Sequence, residues 1–185
     1  MSQDRTRKIA VTGVLGAITL LLGITHLGFI PWFGGASITI MPVPVVIGAV
    51  LEGPVVGLVL GLIFGVSSLI QAAIAPTGPV DAWFTNPLLS ILPRLFIGPV
   101  AWAVWMALKR WPVVGLLAAG AAGSLTNTIL VLGMIAVLGY ATLTVVLPFI
   151  VINGVPEAAV CALMTLVIVA AYQRITLGKR QGSSL

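Results

Sequence analysis

Long apolar stretches alternate with short segments rich in polar residues, glycine and proline along the whole chain. Such stretches predict helices, and about 20 apolar residues suffice for a helix to cross the ~30 Å hydrocarbon core of a membrane. The pattern predicts an all-α membrane protein in a single domain over residues 1–185. Its six transmembrane helices are expected at about 8–27, 42–51, 55–75, 86–108, 112–138 and 144–172.

The second predicted helix is the exception, because it has only about ten residues before the breaker EGP at 52–54. A straight helix of about that length cannot cross the membrane alone. The preceding stretch, ASITIMPVPVV, is expected to complete the crossing, partly as irregular chain buried against neighbouring helices. The sequence therefore predicts a short, irregular second helix.

Composition and charge agree with a membrane protein and set its orientation. Of the 185 residues 59% are hydrophobic and 7% are charged, whereas a soluble domain carries about 25% charged residues. The basic residues cluster near both termini and after the fourth predicted helix, and the predicted outer loops contain none. This asymmetry places both termini in the cytoplasm, with residues 1–7 as the N-terminal segment and 176–185 as a flexible tail. The net charge of +5 therefore indicates cytoplasmic loops of a multi-pass membrane protein, not nucleic-acid binding.

The N-terminus resembles a signal peptide, since a basic start precedes an apolar segment. That segment, from Ile9 to about Thr25, is longer than the usual ~7–15-residue signal core. We therefore expect a retained first helix.

Polar residues inside the predicted helices lie at related depths in the outer half of the membrane. At about 1.5 Å per residue, Arg94 lies roughly 12 Å below the outer start of its helix, and Asn153 roughly 14 Å below the start of the last helix. Glu157 is one turn deeper on the same face as Asn153. The sequence thus predicts an outward-facing pocket with apolar covers from the outer loops. We expect it to be lined by Arg94, Asn127, Asn153, Glu157 and Gln71 and covered by Trp32, Phe33, Trp83 and Phe84.

These side chains suit a polar ligand, but each also has a structural interpretation. The planar fork of Arg94 matches a carboxylate or phosphate, and asparagine amides can orient a polar ligand. Alternatively, Arg94 and Glu157 form a buried bridge, because a buried charge needs a partner in any case. Asn127 and Asn153 could equally join helices by hydrogen bonds. The shared depth of these residues favours a binding site.

Several chemistries are excluded by their missing motifs. The sequence has no phosphate-binding glycine loop ending in Gly-Lys-Ser/Thr, no His/Cys cluster with metal-ligand spacing and no Gly-x-Ser-x-Gly motif. The single cysteine, Cys161, lies in an apolar stretch and is expected to be a small packing residue. We expect no enzymatic activity, no bound metal and no cofactor.

The chain resembles the substrate-binding S components of energy-coupling factor (ECF) vitamin transporters. The resemblance covers nearly all of it and is carried by ITIMPVPVVIGAVLEGPVVGLVLGLIFG, NPLLSILPRLFIG, GSLTNTILVLG and NGVPEAAV. It implies a six-helix protein that binds a vitamin in an outward-facing cavity. It also implies two kinds of partner, a transmembrane coupling subunit and two cytoplasmic ATPases, with release of the vitamin after toppling in the membrane.

The resemblance further implies a docking surface on the first helix and a class of substrate. Family members carry Ala-x-x-x-Ala there, and the nearest match in this sequence is Gly13-x-x-x-Ala17 with Ala10 beside it. The motifs of the fourth to sixth helices are most similar to those of pantothenate-type members. Folate, cobalamin, lipoate and hydroxymethylpyrimidine remain alternative substrates. A membrane scaffold subunit whose polar groups only join helices remains the alternative function.

Overall fold

The computed structural model describes residues 3–31, 37–76, 78 and 80–182, with backbone only at 3, 30, 31, 37 and 174–182. A short antiparallel hairpin of β1 (Phe29–Pro31) and β2 (Ser37–Thr39) follows the first helix, and a 3-10 helix covers Asp81–Thr85. The α-helices are α1 (Gln3–Ile24), α2 (Pro42–Glu52), α3 (Pro54–Ile74), α4 (Pro87–Ser90), α5 (Leu92–Leu108), α6 (Pro112–Val137), α7 (Leu143–Ile152) and α8 (Gly154–Gly182).

The predicted all-α membrane architecture is confirmed. Five helical segments of the described chain are long and apolar enough to cross a membrane, and α2 is a shorter apolar sixth. Two ends differ from the sequence prediction. The first helix already begins at Gln3, within the predicted N-terminal segment, and α8 continues to Gly182, within the predicted tail. The long spans are Asp4–Ile24, Pro54–Ile74, Pro87–Leu108, Pro112–Val137 and Leu143–Gln173.

The short helix α2 lies at the centre of the bundle. Its residues from Pro42 to Val50 are all buried, and it packs against α1, α3, α5, α6 and α8. The short second helix is confirmed: α2 has 11 residues, and non-helical chain precedes it, in the form of the hairpin. An ion pair of 2.8 Å between Arg7 and Glu52 joins the end of α2 to the beginning of α1.

Three connections meet at the opposite end of the bundle, which we call the outer end. His26, after α1, and Gln71, near the end of α3, form a side-chain hydrogen bond of 2.8 Å. Trp83 of the 3-10 helix stacks on Tyr140, which follows α6, with ring centroids 5.6 Å apart. The hairpin, the 3-10 helix and the α6–α7 connection therefore gather at one end, as an alternating path of six membrane segments requires.

Two of the predicted helices, 86–108 and 144–172, were wrongly expected to be continuous. The first is interrupted at Ile91, between α4 and α5, and the second at Asn153, between α7 and α8. A proline follows each interruption, at Pro93 and Pro156. Proline has no amide hydrogen, so it cannot bond the carbonyl four residues earlier, and its ring crowds that carbonyl.

Glycines bring α3 and α5 into backbone contact. A β-carbon at Gly57 would lie 2.8 Å from the α-carbon of Gly98, and one at Gly65 would lie 2.8 Å from the α-carbon of Ile91. A β-carbon at Gly61, between them, would collide with the carbonyl oxygen of Arg94. Small residues permit such close helix packing in membranes. The glycine face of α3 thus fixes the backbone position of Arg94.

Candidate substrate-binding site

Arg94 is buried inside the bundle, one residue after Pro93. Only 5% of it is exposed, and its guanidinium lies over the rings of Phe64 and Phe84, 5.4 and 5.0 Å from their centroids. One guanidinium nitrogen, Nη1, donates a hydrogen bond of 2.5 Å to the carbonyl of Leu89. Aromatic faces attract cations, so the charge is partly stabilised without a carboxylate.

The interruption of the helix explains why Arg94 bonds this carbonyl. Leu89 is four residues before Pro93, which cannot supply the amide that would normally bond the Leu89 carbonyl. The Arg94 side chain takes the place of that amide. Its Nε is buried and makes no hydrogen bond in the described structure. The side chain therefore satisfies the backbone locally, and among the described residues it keeps a free buried donor and a positive charge without a carboxylate partner.

Glu157 is equally buried, but its contacts are with other elements. It is 5% exposed. Its Oε1 accepts a hydrogen bond of 2.8 Å from the backbone N–H of Thr39, and its Oε2 accepts one of 3.0 Å from the hydroxyl of Thr128. Within the described chain, the Glu157 carboxylate and the Arg94 guanidinium are not within ion-pair distance of each other. The structure thus does not contain the Arg94–Glu157 bridge that the sequence left open.

Both predicted asparagines carry a buried amide oxygen that lacks a hydrogen-bond donor among the described residues. Asn127 is in α6 and is 6% exposed. Asn153 occupies the interruption between α7 and α8. Most buried polar groups in proteins are hydrogen-bonded, so these two oxygens are candidates to accept hydrogen bonds from a ligand.

Arg94 and Asn127 lie at the same depth. A β-carbon at Gly123 of α6 would be 3.5 Å from the side chain of Ile97 and 3.4 Å from that of Ala101, both in α5. In antiparallel neighbours, one turn outward from this contact leads to Asn127 on α6 and to Arg94 on α5. The next residue of α6, Thr128, reaches Glu157. The polar groups of α5, α6 and α8 thus occupy one layer of the bundle.

Gln71 and Trp83 lie further out than this layer. Gln71 shares a face of α3 with Phe64 but is two turns closer to the outer end, and its amide bonds His26. Trp83 stacks on Tyr140 and packs in an outer apolar cluster with Leu89. Trp32 and Phe33 lie outside the described residues. The ring of Phe84 lies against the guanidinium of Arg94, and its role as a cover of a pocket stays a prediction.

The predicted docking face of α1 is exposed on the isolated protein. Ala10, Gly13 and Ala17 are all accessible, and a β-carbon at Gly13 would meet nothing within 4 Å. The neighbouring, buried side of α1 packs on α3: a β-carbon at Gly16 would lie 3.1 Å from Ile63. Gly13 also lines a groove between α1 and the beginning of α3.

Sequence reasoning missed two residues that organise the polar layer, Thr39 and Thr128. Thr39 acts through its backbone N–H, which no residue type reveals. The signal for Thr128 was available, because it follows Asn127 directly and its hydroxyl is buried in an apolar helix. A buried hydroxyl in a membrane segment needs a partner.

Comparison with known proteins identifies the group to which this chain belongs. Residues 7–169 match the family model described as "ECF transporter, substrate-specific component". The pantothenate transporter PanT of Leuconostoc mesenteroides subsp. mesenteroides is 30% identical over 155 residues, which cover 77% of this chain and 74% of that relative. The pantothenic acid transporter PanT of Lactococcus lactis subsp. cremoris is 26% identical over 194 residues, which cover 94% of this chain and 97% of that relative. The chain belongs to the family of substrate-specific components of ECF transporters, and it is a multi-pass membrane transport protein, not an enzyme.

Proposed function

We propose that this protein binds pantothenate in the polar layer at the outer half of the bundle and delivers it through a coupling subunit driven by two ATPases. The names of both relatives support pantothenate as the substrate. The proposed site residues are Arg94, Asn127 and Asn153 in the layer, beside Glu157, with Gln71 and Trp83 further out. Trp32, outside the described residues, stays a proposed cover.

The observation that carries the proposal is that the Arg94 guanidinium has no carboxylate partner among the described residues. A guanidinium stays protonated in proteins, and a buried charge is costly unless it is paired. Arg94 has one carbonyl, two aromatic rings and a spare buried donor around it. A ligand carboxylate would complete this environment, and Arg94 has the geometry for a bidentate bond.

The asparagines extend this complementarity from charge to hydrogen bonding. Pantothenate carries hydroxyl groups and an amide N–H in addition to its carboxylate. The buried amide oxygens of Asn127 and Asn153 lack donors among the described residues. Ligand hydroxyl or N–H groups would supply them, so the layer offers one anion site and two acceptors.

For the coupling subunit, we propose the face of α1 with Ala10, Gly13 and Ala17. Its small, exposed side chains permit close approach of another helix, while the other face of α1 is already used against α3. Docking there would leave the polar layer, on α5, α6 and α8, undisturbed.

One experiment with three variants separates binding from coupling. Labelled pantothenate is bound to the detergent-purified protein, and uptake is measured in cells that contain the complete transporter. Arg94→Lys keeps the charge but loses the bidentate fork, so we expect binding to weaken by about tenfold to a hundredfold, or roughly 1.5–3 kcal/mol. Gly13→Leu should abolish uptake and leave binding unchanged. Ile18→Trp, at an exposed position on another side of α1, is the control and should affect neither.

The alternatives have their own outcomes. If folate, cobalamin, lipoate or hydroxymethylpyrimidine displaces pantothenate or binds in its place, the substrate is another vitamin. If the folded protein binds none of these molecules, its polar groups only join helices, as in a scaffold subunit. Uptake that survives Gly13→Leu would place the docking surface elsewhere.

A further inference from the structure

Glu157 connects three elements that are distant in the sequence. It belongs to α8, and its two carboxylate oxygens bond the backbone of Thr39 at the end of β2 and the hydroxyl of Thr128 in α6. The bond to Thr39 spans 118 residues of sequence. Each oxygen has a protein donor at 2.8 or 3.0 Å, so both are already engaged without a ligand.

The residue that Glu157 holds is the last one of the hairpin. Thr39 pairs with Phe29 across the hairpin, and its hydroxyl accepts a hydrogen bond of 3.3 Å from the N–H of Met41. Next to it, the N–H of Ile40 donates to the carbonyl of Gly28 at 2.9 Å. Thr39 is therefore the point at which the base of the hairpin is attached to the far side of the bundle.

We propose that Glu157 is a positioning residue that fixes the hairpin against α6 and α8, and that it is not a contact residue for the ligand. Its surroundings favour this role. The carboxylate is buried, and one N–H and one hydroxyl compensate it in place of a cation. Charge-assisted bonds of this kind are about twice as strong as neutral ones, which suits an anchor for a two-stranded ribbon that is marginal by itself.

The position of this anchor relative to the ligand follows from the proposed function. Glu157 is one turn from Asn153, since its N–H donates to the Asn153 carbonyl at 3.0 Å, and Thr128 is adjacent to Asn127. A ligand among the asparagines would lie beside the carboxylate that holds the hairpin. Loss of the anchor should then increase the dissociation rate of pantothenate, whereas a lost direct contact would weaken binding without moving the hairpin.

Hydrogen–deuterium exchange of the purified full-length protein without ligand tests the anchor independently of the proposed function. Glu157→Met keeps the volume and removes both bonds, so amide exchange in the peptide 28–41 should rise by about tenfold while α3 stays protected. Glu157→Gln can accept from Thr39 with its oxygen and donate to Thr128 with its amide. It should therefore keep hairpin exchange within about threefold of the wild type.

Unchanged exchange of this peptide in Glu157→Met would overturn the proposal, whatever happens to ligand binding. If Glu157→Met also loosens α3, Thr128→Val decides, because it removes only one of the two bonds. We then expect an intermediate rise in the hairpin peptide with α3 protected, and no rise would overturn the proposal. If Glu157→Met loosens the hairpin and the wild-type protein binds no pantothenate, the result supports the anchor and rejects the proposed substrate.

Discussion

The two interrupted helices share one local pattern and use it differently. Each has a polar residue at the interruption or beside it, then a proline three residues later, then a charged residue: Ser90, Pro93 and Arg94 in the first, Asn153, Pro156 and Glu157 in the second. Both charged residues are buried to the same extent. The physical problem is the same in both places, since proline removes a backbone donor in a membrane where water cannot replace it.

The first interruption is satisfied locally, by carbonyls of α4 and of the 3-10 helix directly before it. The Ser90 hydroxyl donates to the carbonyl of Phe84, and Arg94 donates to the carbonyl of Leu89. The second reaches other elements, because Glu157 bonds β2 and α6, and the amide oxygen of Asn153 has no donor in the described chain. The same pattern thus forms contacts close in sequence in one place and contacts with distant elements in the other. The charge at the end of the pattern decides which: a cation can bond carbonyls freed in its own helix, whereas a carboxylate must find donors elsewhere.

The largest effect is expected where the first interruption packs on α3. Gly61→Ala places a methyl group against the backbone carbonyl oxygen of Arg94, which cannot move without separating α3 from α5. We expect a loss of about 1–3 kcal/mol or more in the free energy of unfolding. In contrast, a β-carbon at Gly154 in the second interruption meets the methyl group of Thr128 at 3.2 Å, so Gly154→Ala should cost less than about 1 kcal/mol.

Thermal melting of the detergent-purified variants measures this difference. Gly133→Ala in α6 is the matched control, because nothing lies within 4 Å of its β-carbon and alanine favours a helix by up to about 1 kcal/mol over glycine. A Gly154→Ala variant as unstable as Gly61→Ala would show that both interruptions are equally rigid.

A double-mutant cycle tests whether Arg94 replaces the missing amide. Pro93→Ala restores an N–H that can bond the Leu89 carbonyl. Arg94→Ala should therefore cost about 1–2 kcal/mol less in the Pro93→Ala background than in the wild type, since the carbonyl is no longer stranded. Unfolding free energies of the four proteins give the coupling. Pro99→Ala is the control, because Pro99 lies in the same helix but the Leu89 carbonyl that Arg94 bonds is not four residues before it. It should show no coupling with Arg94→Ala. Equal coupling for both prolines would contradict the assignment.

The smallest effect distinguishes the polar residues of the two interruptions. Ser90→Ala removes a hydrogen bond to the Phe84 carbonyl and should cost about 0.5–1.5 kcal/mol of stability. The amide oxygen of Asn153 makes no such bond, so Asn153→Ala should cost less than about 0.5 kcal/mol without ligand and weaken pantothenate binding by about tenfold. Melting and binding measured on the same preparations compare the two. A large loss of stability in Asn153→Ala would assign it a structural role.

The sequence predicted the membrane class, the six apolar segments and the burial of Arg94, because all three follow from hydropathy and helix periodicity. It also placed Arg94 and Asn127 at a common depth, which the contact of Gly123 with Ile97 and Ala101 supports. It did not predict the partners of the charged residues. Leu89 and Thr39 act through backbone atoms, and these become free or aligned only when the helix is interrupted or the hairpin forms. Tertiary geometry, not residue type, determines such contacts.

The buried position of α2 has a consequence for the order in which the protein is assembled during synthesis. A helix of 11 residues is about 16 Å long, roughly half of the ~30 Å hydrocarbon core, so it cannot insert as an independent span. Of the helices that pack on it, α1 precedes it in the chain, whereas α3, α5, α6 and α8 emerge from the ribosome later. The central segment of the finished protein can therefore become fully buried only after α8 has been made.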